Sequence, residues 1–344
     1  MSRKTYQKAL NEALKQEMRR DPHVIVVGVD VAAGYTSRAE DAPDDQEGGG
    51  MLGATAGLIQ EFGAARVIET PISESAIMGM CAGAACTGLR PVGELMFVDF
   101  LGVCFDQIFN QAAKLRYMFG GKAKVPLVIR TTVGAGLNAA AQHSQMLHSI
   151  FTHIPGLKVA LPSNAYDAKG LLINAIRDDD PVIFMEHKGL YEQVDEVPDE
   201  PYAIPFAEAN VVIDGDDLTV IAFSKMVHVA QAAAQRLEKE NIHVELLDPR
   251  TSSPLDEDSI LESVEKTGRV VIVDEGNPRC GMAADVAAFI VNKAFAALKA
   301  PVELVTAPHT PVPFSPTLEQ AYVPSVEKVA AAVKRTMAYP SARA

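Results

Sequence analysis

No apolar run in this 344-residue chain reaches the roughly 18 residues that a membrane-crossing helix needs. The first twenty residues, MSRKTYQKALNEALKQEMRR, are charged and amphipathic and lack the apolar centre of a signal peptide. A cytoplasmic protein with no membrane partner is expected. Cysteine is scarce: Cys81, Cys86, Cys104 and Cys280 stand in apolar or helical surroundings with no Cys-x-x-Cys spacing, which predicts reduced core residues. Positive charge is outnumbered, with 31 Lys plus Arg against 44 Asp plus Glu and a net charge of −13. With no basic cluster interleaved with aromatics, a nucleic-acid surface is not expected. A basic protein partner and plain solvation both remain compatible with that charge. Neither a Gly-x-Ser-x-Gly nucleophile turn nor a Gly-x4-Gly-Lys-Ser/Thr phosphate loop is present.

What is there is alternation. Hydrophobic residues make up 48% and charged residues 22% of a chain long enough for two domains. Short β-rich runs at 24–29, 66–69, 91–97, 127–130, 158–161 and 182–186 are separated by helical patterns at 4–19, 51–62, 75–87, 104–118 and 165–177. Such alternation predicts an α/β fold with a parallel sheet covered on both faces. Residues 191–205, rich in Glu, Asp and Pro, read as a linker. A second series follows, with strands at 218–223, 244–247, 270–274 and 302–305 and helices at 227–239, 256–266, 283–298 and 325–337. Two domains, 1–190 and 206–344, are expected, the first carrying a polar Gly/Asp-rich loop over 32–50.

The chemistry-bearing candidates sit at strand ends, where open α/β sheets place their ligands. Glu74 falls where the 66–69 strand turns, through Pro71 and the candidate N-cap Ser73, into a helix of small and apolar residues with no charge from Ala76 to Gly88. Such a helix is expected to be buried all round, with Gly79, Gly83, Ala84 and Ala85 allowing close backbone approach. Glu74 is then either an ordinary favourable charge at a helix N-terminus or an acid carried into the interior. The loop TTVGAGLNAAAQHSQ, 131–145, presents His143 behind a lead of small residues that leaves room for a substrate, although a lone histidine there is also commonly structural. His143, His148 and His153 recur every five residues, which matches no helical zinc pair. Gly48 to Gly50 reads as a flexible loop or a weak phosphate site. The 165–177 helix ends in Asp178, Asp179 and Asp180, three anions at the negative end of a helix dipole, either solvated or holding a cation.

The segments ETPISE (69–74), GLRPVGELMFVDF (88–100), AAQHSQ (140–145), PGLKVALPS (155–163) and AIRDDDPVI (175–183) resemble the β subunits of the thiamine-diphosphate-dependent dehydrogenase component of 2-oxo acid dehydrogenase complexes. The resemblance runs over nearly the whole chain. Within that family, CFDQIFNQAAKLRYMFGGKA (104–123), FTHIPGLKV (151–159), EHK (186–188) and PHTPVPFSPTLE (308–319) look most like the acetoin-cleaving branch.

The resemblance implies two doubly wound domains, a pyrimidine-binding domain followed by a transketolase C-terminal-like domain. It implies thiamine diphosphate bound with an α subunit of a heterotetramer, and delivery of an acetyl unit to a lipoyl-bearing acyltransferase. Glu74 matches the activating glutamate that hydrogen-bonds the aminopyrimidine, a role that burial would favour by raising the carboxyl pKa. Met96 and Phe100 match positions packing around that ring, with Glu94 on the same strand. His143 matches a histidine of proton transfer and of reductive acylation. A potassium-like cation is implied at the carbonyls of Leu127, Ala175 and Ile176 with Asp178 and Asp180; relatives have Asn at the last position.

One family motif is missing. The Gly-Asp-Gly that anchors diphosphate and Mg²⁺ is absent, and 215–217 reads Gly-Asp-Asp before a strand of the second domain. Diphosphate and Mg²⁺ are therefore expected on the α subunit. The implied reaction is cleavage of acetoin to acetaldehyde with transfer of the remaining acetyl unit. Pyruvate or a branched-chain 2-oxo acid is the alternative substrate. A non-catalytic docking scaffold and a self-sufficient homodimer are the readings of other kinds.

Overall fold

The computed structural model describes residues 1–32, 49, 50 and 52–340. Most of the expected 32–50 loop, and Met51 at the start of one expected helix, lie outside the described residues. The chain divides into two compact units, one of Met1–Val133, Ile150–Glu186 and Leu190–Pro205, the other of Gly134–Ser149, His187–Gly189 and Phe206–Ala344.

The first unit contains β1 (Ser2–Thr5), α1 (Tyr6–Arg20), β2 (Val24–Gly28), α2 (Leu58–Phe62), β3 (Val67–Glu69), α3 (Glu74–Cys86), β4 (Arg90–Phe97), α4 (Ala113–Met118) and β5 (Val128–Val133). After α5 (His148–Thr152) come β6 (Lys158–Ala160), α6 (Ala165–Arg177), β7 (Val182–His187) and β8 (Val194–Val197). Its main sheet runs β6-β7-β5-β4-β2-β3, with β2 parallel to β3 and β4, β4 to β5, and β6 to β7. Every residue of β2, β5 and β7 is buried: β2 is a continuous apolar run, whereas β5 and β7 also bury Arg130, Thr131, Thr132, Glu186 and His187. Helix α1 packs along α6, and the fully buried Lys169 of α6 spends its charge on Glu12 and on the carbonyls of Pro198 and Asp199.

Several elements depart from expectation. Ser2–Thr5 pairs antiparallel with β8, so the expected linker 191–205 carries a strand, and Thr5 caps α1 by accepting the Lys8 amide. The helix expected over 51–62 is restricted to Leu58–Phe62, because Gly53 and Gly57 take φ of +77° and +74°. The pattern over 104–118 folds as a π-helical turn, Gln107–Ala112, running into α4.

The second unit holds β9 (Asn210–Ile213), β10 (Leu218–Ala222), α7 (Met226–Glu238), β11 (Val244–Asp248), β12 (Thr251–Ser253), α8 (Glu257–Thr267), β13 (Val270–Asp274), α9 (Met282–Ala294), β14 (Glu303–Thr306), α10 (Pro316–Tyr322) and α11 (Val326–Ala338). Strands run β14-β13-β10-β11-β9, parallel except for β9, an antiparallel edge strand. Leu218, Val220, Leu246, Val271 and Val273 pack under Ala233, Leu237, Val329 and Val333 of α7 and α11 as one core. Asp256 caps α8 through the Ser259 amide, and Gly268 ends it at φ +71°.

Candidate active site

Glu69 closes β3 and accepts the amides of Asp30 at 2.6 Å and Ala32 at 2.8 Å, fixing the start of the loop after β2. The chain then turns through Pro71 into α3. Ser73 occupies the cap position, but its hydroxyl donates to the Pro71 carbonyl at 3.1 Å rather than accepting a helix amide. Glu74 is the first helical residue and is half-buried. Ile77, Met78, Cys81, Ala82 and Ala85 form the buried face of α3, and Gly93 of β4 lets the strand come close to Cys81 and Met78. The expectation of burial all round is corrected on the opposite face: Ala76, Met80, Gly83 and Cys86 are exposed. Cys280 is exposed too, so only Cys81 and Cys104 are core cysteines, and all four are free thiols.

Side chains alternate along β4, so Leu95 packs inward while Glu94 and Met96 share the other face. Glu94 does not face open solvent; its Oε2 lies 3.1 Å from Arg130 Nη1. Arg130 also grips Glu186 with a fork, Nε to Oε1 at 2.6 Å and Nη2 to Oε2 at 2.8 Å, and the Tyr191 hydroxyl donates to the same carboxylate. Burial pushes the Glu94 carboxyl up to about 7, with Arg130 opposing and the negative charge of Glu186 adding to the rise. Glu94, Met96, Arg130, Thr131 and Tyr191 line a cavity of about 10 Å³, room for a single water.

Phe100 lies in the 3₁₀ turn Val98–Val103, edge-on to Phe97 with centroids 5.6 Å apart. This turn meets the start of α3: the Ser75 hydroxyl donates to the Val103 carbonyl, and the Cys104 thiol contacts the Phe100 carbonyl at 3.8 Å. Burial, with the Glu74 charge adding to it, pushes the Cys104 thiol up to about 12. The first unit therefore gathers Glu74 and Phe100 at one corner.

His143 belongs to the second unit, in a loop held at several points. Gly134 has φ +87°, and a Cβ there would come 2.0 Å from His187 Nε2, so no other residue fits without displacing that ring. The Ala135 amide donates to Glu275 Oε1 at 2.5 Å, and Glu275 Oε2 lies 2.8 Å from His187 Nε2. His187 Nδ1 accepts the Gly189 amide at 3.0 Å, which leaves the proton on Nε2 to face Glu275. Lys188 donates to the His143 carbonyl, and Glu319 accepts the Asn138 amide at 3.1 Å. Burial raises the Glu275 carboxyl, but His187 and the Ala135 amide outweigh it and hold the group below its usual value. Asp274 behaves the same way, its burial outweighed by His148 at 3.2 Å and the Gly276 amide. The three spaced histidines thus reach separate settings: His143 half-buried in the loop, His148 buried against Asp274, and His153 exposed.

At the end of α6 the expected potassium ligands come together, but their oxygens already have partners. Asp178 Oδ2 lies 2.6 Å from Lys158 Nζ, which is also 3.4 Å from Asp180 Oδ2; Arg116 holds Asp180 Oδ1 at 2.5 Å. Asp179 meets Arg90 at 2.8 Å and Lys124 at 2.7 Å, and Lys124 and Arg90 hold its carboxyl below the usual range against the effect of burial. The Ile176 carbonyl accepts from Arg90 Nη1 at 3.1 Å, that of Ala175 from the Asp178 amide at 3.3 Å, and that of Leu127 from the Val182 amide at 2.9 Å. The carboxylates are thus neutralised by side chains of the same unit, while a carbonyl that accepts one hydrogen bond keeps its second lone pair.

The Gly-Asp-Asp turn is equally occupied. Asp214 and Asp216 lie 2.6 and 3.5 Å from Lys266, and the Asp217 carboxylate accepts the His243 amide at 2.7 Å. These acids pair with Lys266 and the His243 amide in the turn that precedes β10. Arg130 and Glu275 carry no signal in the local sequence, whereas Glu69 lies in the ETPISE run at 69–74 and Glu186 and His187 in the EHK run at 186–188.

The folds and these residues define a transketolase-type chain: residues 2–193 match the transketolase pyrimidine binding domain and 207–329 the transketolase C-terminal domain. The split-gene transketolase described as an inactive β4 tetramer superposes with a TM-score of 0.77 at 22% identity, over 97% of this chain and 98% of the other. The chain is 59% identical to the acetoin:2,6-dichlorophenolindophenol oxidoreductase subunit β of Cupriavidus necator, covering 96% of each, and 53% identical to that of Bacillus subtilis, covering 97% of each. Identity to the B. subtilis 2-oxoisovalerate dehydrogenase subunit β is 42%, over 97% of this chain and 98% of the relative. The chain belongs to the family of acetoin oxidoreductase β subunits. Among the described residues no helix is long and apolar enough to cross a membrane.

Proposed function

We propose that this chain is the β subunit of a cytoplasmic, thiamine-diphosphate-dependent acetoin dehydrogenase component that is active only with an α subunit. Residues 1–190 serve as the pyrimidine-binding domain and 206–344 as the transketolase C-terminal-like domain. Acetoin is cleaved to acetaldehyde, and the remaining two carbons leave as an acetyl group on a lipoyl domain of an acyltransferase, whose disulfide is reduced as the thioester forms. The observation that carries this reading is Glu74 at the N-terminus of α3, against the Phe100 turn, in a chain 59% identical to an acetoin oxidoreductase β subunit.

Bound thiamine diphosphate supplies the electron sink for the carbon–carbon bond that breaks. Glu74 would hold the aminopyrimidine ring through a hydrogen bond to its ring nitrogen. Met96 and Phe100 form an apolar wall, and Glu94 stands behind Met96 in its network with Arg130. His143, on a loop fixed by Ala135, Asn138 and Lys188, takes up and returns protons of the substrate and the lipoyl thiol. The engagement of Asp214, Asp216 and Asp217 supports diphosphate and Mg²⁺ being held by the α subunit, and the exposed small-residue face of α3 supports close packing by another chain.

Purification with the α subunit and comparison of turnover on acetoin and on pyruvate test the assignment. Acetoin is expected to be the better substrate. A preference for pyruvate or a branched-chain 2-oxo acid moves the chain to the decarboxylating branch of the family.

A further inference from the structure

The chain leaving β4 is tied down by side chains that donate to its backbone. The Thr132 hydroxyl of β5 donates to the Met96 carbonyl at 2.6 Å, the Cys104 thiol to the Phe100 carbonyl at 3.8 Å, and the Ser75 hydroxyl of α3 to the Val103 carbonyl. The last two bonds close on one 3₁₀ turn, Val98–Val103, and a 3₁₀ turn has poorer internal hydrogen bonds than an α-helix. Side-chain donors therefore decide where this turn stands. Cys104 is fully buried, and burial, with the Glu74 charge adding to it, keeps the thiol in the protonated form that donates. Ser75 directly follows Glu74 at the start of α3, so its hydroxyl fixes the turn relative to the acid itself.

We propose that Ser75 and Cys104 are positioning residues that clamp the Phe100 turn onto the start of α3 and so set the spacing between Phe100 and Glu74. The inference rests on the function proposed above and adds two residues that act through Phe100 and Glu74. An apolar wall and an acid that must meet one aromatic ring together tolerate little relative movement, since a displacement of about 1 Å can cost on the order of 10²-fold in rate. Edge-on packing of Phe97 at 5.6 Å holds the Phe100 ring, and the clamp holds its backbone.

Two readouts test this. On the full-length chain, iodoacetamide alkylation followed by mass spectrometry times the opening that exposes Cys104. Ser75→Ala is expected to speed Cys104 labelling about fivefold, the equivalent of one lost hydrogen bond. Cys81, buried on the inner face of α3, keeps its wild-type rate. Unchanged labelling of Cys104, or equal acceleration at Cys81, overturns the clamp. The second readout is turnover of the pair with the α subunit at saturating thiamine diphosphate, on whichever of acetoin, pyruvate and a branched-chain 2-oxo acid the wild type uses best. Ser75→Ala and Cys104→Ala are each expected to lower kcat about tenfold with KM changed less than about twofold. Ser75→Thr and Cys104→Ser, which keep a donor, are expected to stay within about threefold of the wild type. Losses that the donor-keeping variants share in full overturn the proposal. A wild-type pair inactive on all three substrates refutes the proposed function and this inference with it, whereas an active pair whose Ser75→Ala form keeps its kcat refutes the inference alone.

Discussion

His187 Nε2 and Glu275 Oε2 lie 2.8 Å apart, and the other oxygen of Glu275 accepts the Ala135 amide, so one buried carboxylate joins the end of β7 to the start of the His143 loop. Glu275→Gln keeps the shape but loses the charge that both donors use. Loss of charge-assisted bonds at a buried site costs about 1–3 kcal/mol, and a slackened loop is expected to lower kcat by about tenfold or more while KM changes less. Stopped or steady-state rates with acetoin, alongside thermal unfolding, check this. A variant that loses stability but keeps wild-type kcat would show that the loop does not depend on Glu275.

The same carboxylate has a pH signature. Its folded pKa lies below the ordinary value of 4.5, so the folded state binds its proton less tightly than the unfolded chain does. The stabilisation is complete above about 4.5 and is lost as pH falls through the lower folded value. Acid unfolding of Glu275→Gln is expected to lack this contribution, which a pH series of unfolding free energies from about 6 to 3 would reveal.

Glu94 has the opposite sign. Its pKa rises from 4.5 to about 7, so the folded state holds the proton more tightly, and the associated stability is present below about 4.5 and lost as pH rises through about 7. At about 1.36 kcal/mol per unit the whole effect is at most about 3–4 kcal/mol. Glu94→Gln is expected to flatten the decline in stability between those pH values, and an unchanged decline would place its origin elsewhere.

Gly134→Ala places a methyl group on the His187 ring in a left-handed backbone conformation. A destabilisation of more than about 1 kcal/mol is expected, with partial rescue by His187→Ala, which empties the space the methyl needs. Additive effects in that double-mutant cycle would contradict the contact.

Much of the fold was legible because buried parallel strands and amphipathic helices write themselves into local pattern. Residues 165–177 and 270–274 fold within the bounds that periodicity gives them. The strand at Ser2–Thr5 was hidden, because its partner lies at Val194–Val197 and its residues are polar and none is fully buried. β9 was hidden as well, being a short edge strand with no fully buried residue. Glu74 and His143 stood out through their neighbours, a charge-free helix and a run of small residues. The ion pairs that hold the sites did not, because Arg130 finds Glu186 across 56 residues and His187 finds Glu275 across 88, separations that no local period can report. The acidic run at Asp178 to Asp180 was visible, but the lysine and arginines that answer it come from three other elements.

Glu74→Gln is expected to lower acetoin turnover of the reconstituted enzyme by at least about 10²-fold while leaving association with the α subunit intact. Near-normal turnover would favour a scaffolding role for this chain.

Glu74 is assigned to half a cofactor site, with the diphosphate anchor on another chain. Calorimetric titration of thiamine diphosphate with Mg²⁺ into this chain alone, and into the chain joined to its α subunit, tests it most directly. No tight binding is expected from the chain alone and saturable binding from the pair; a micromolar site on the isolated chain would contradict the account.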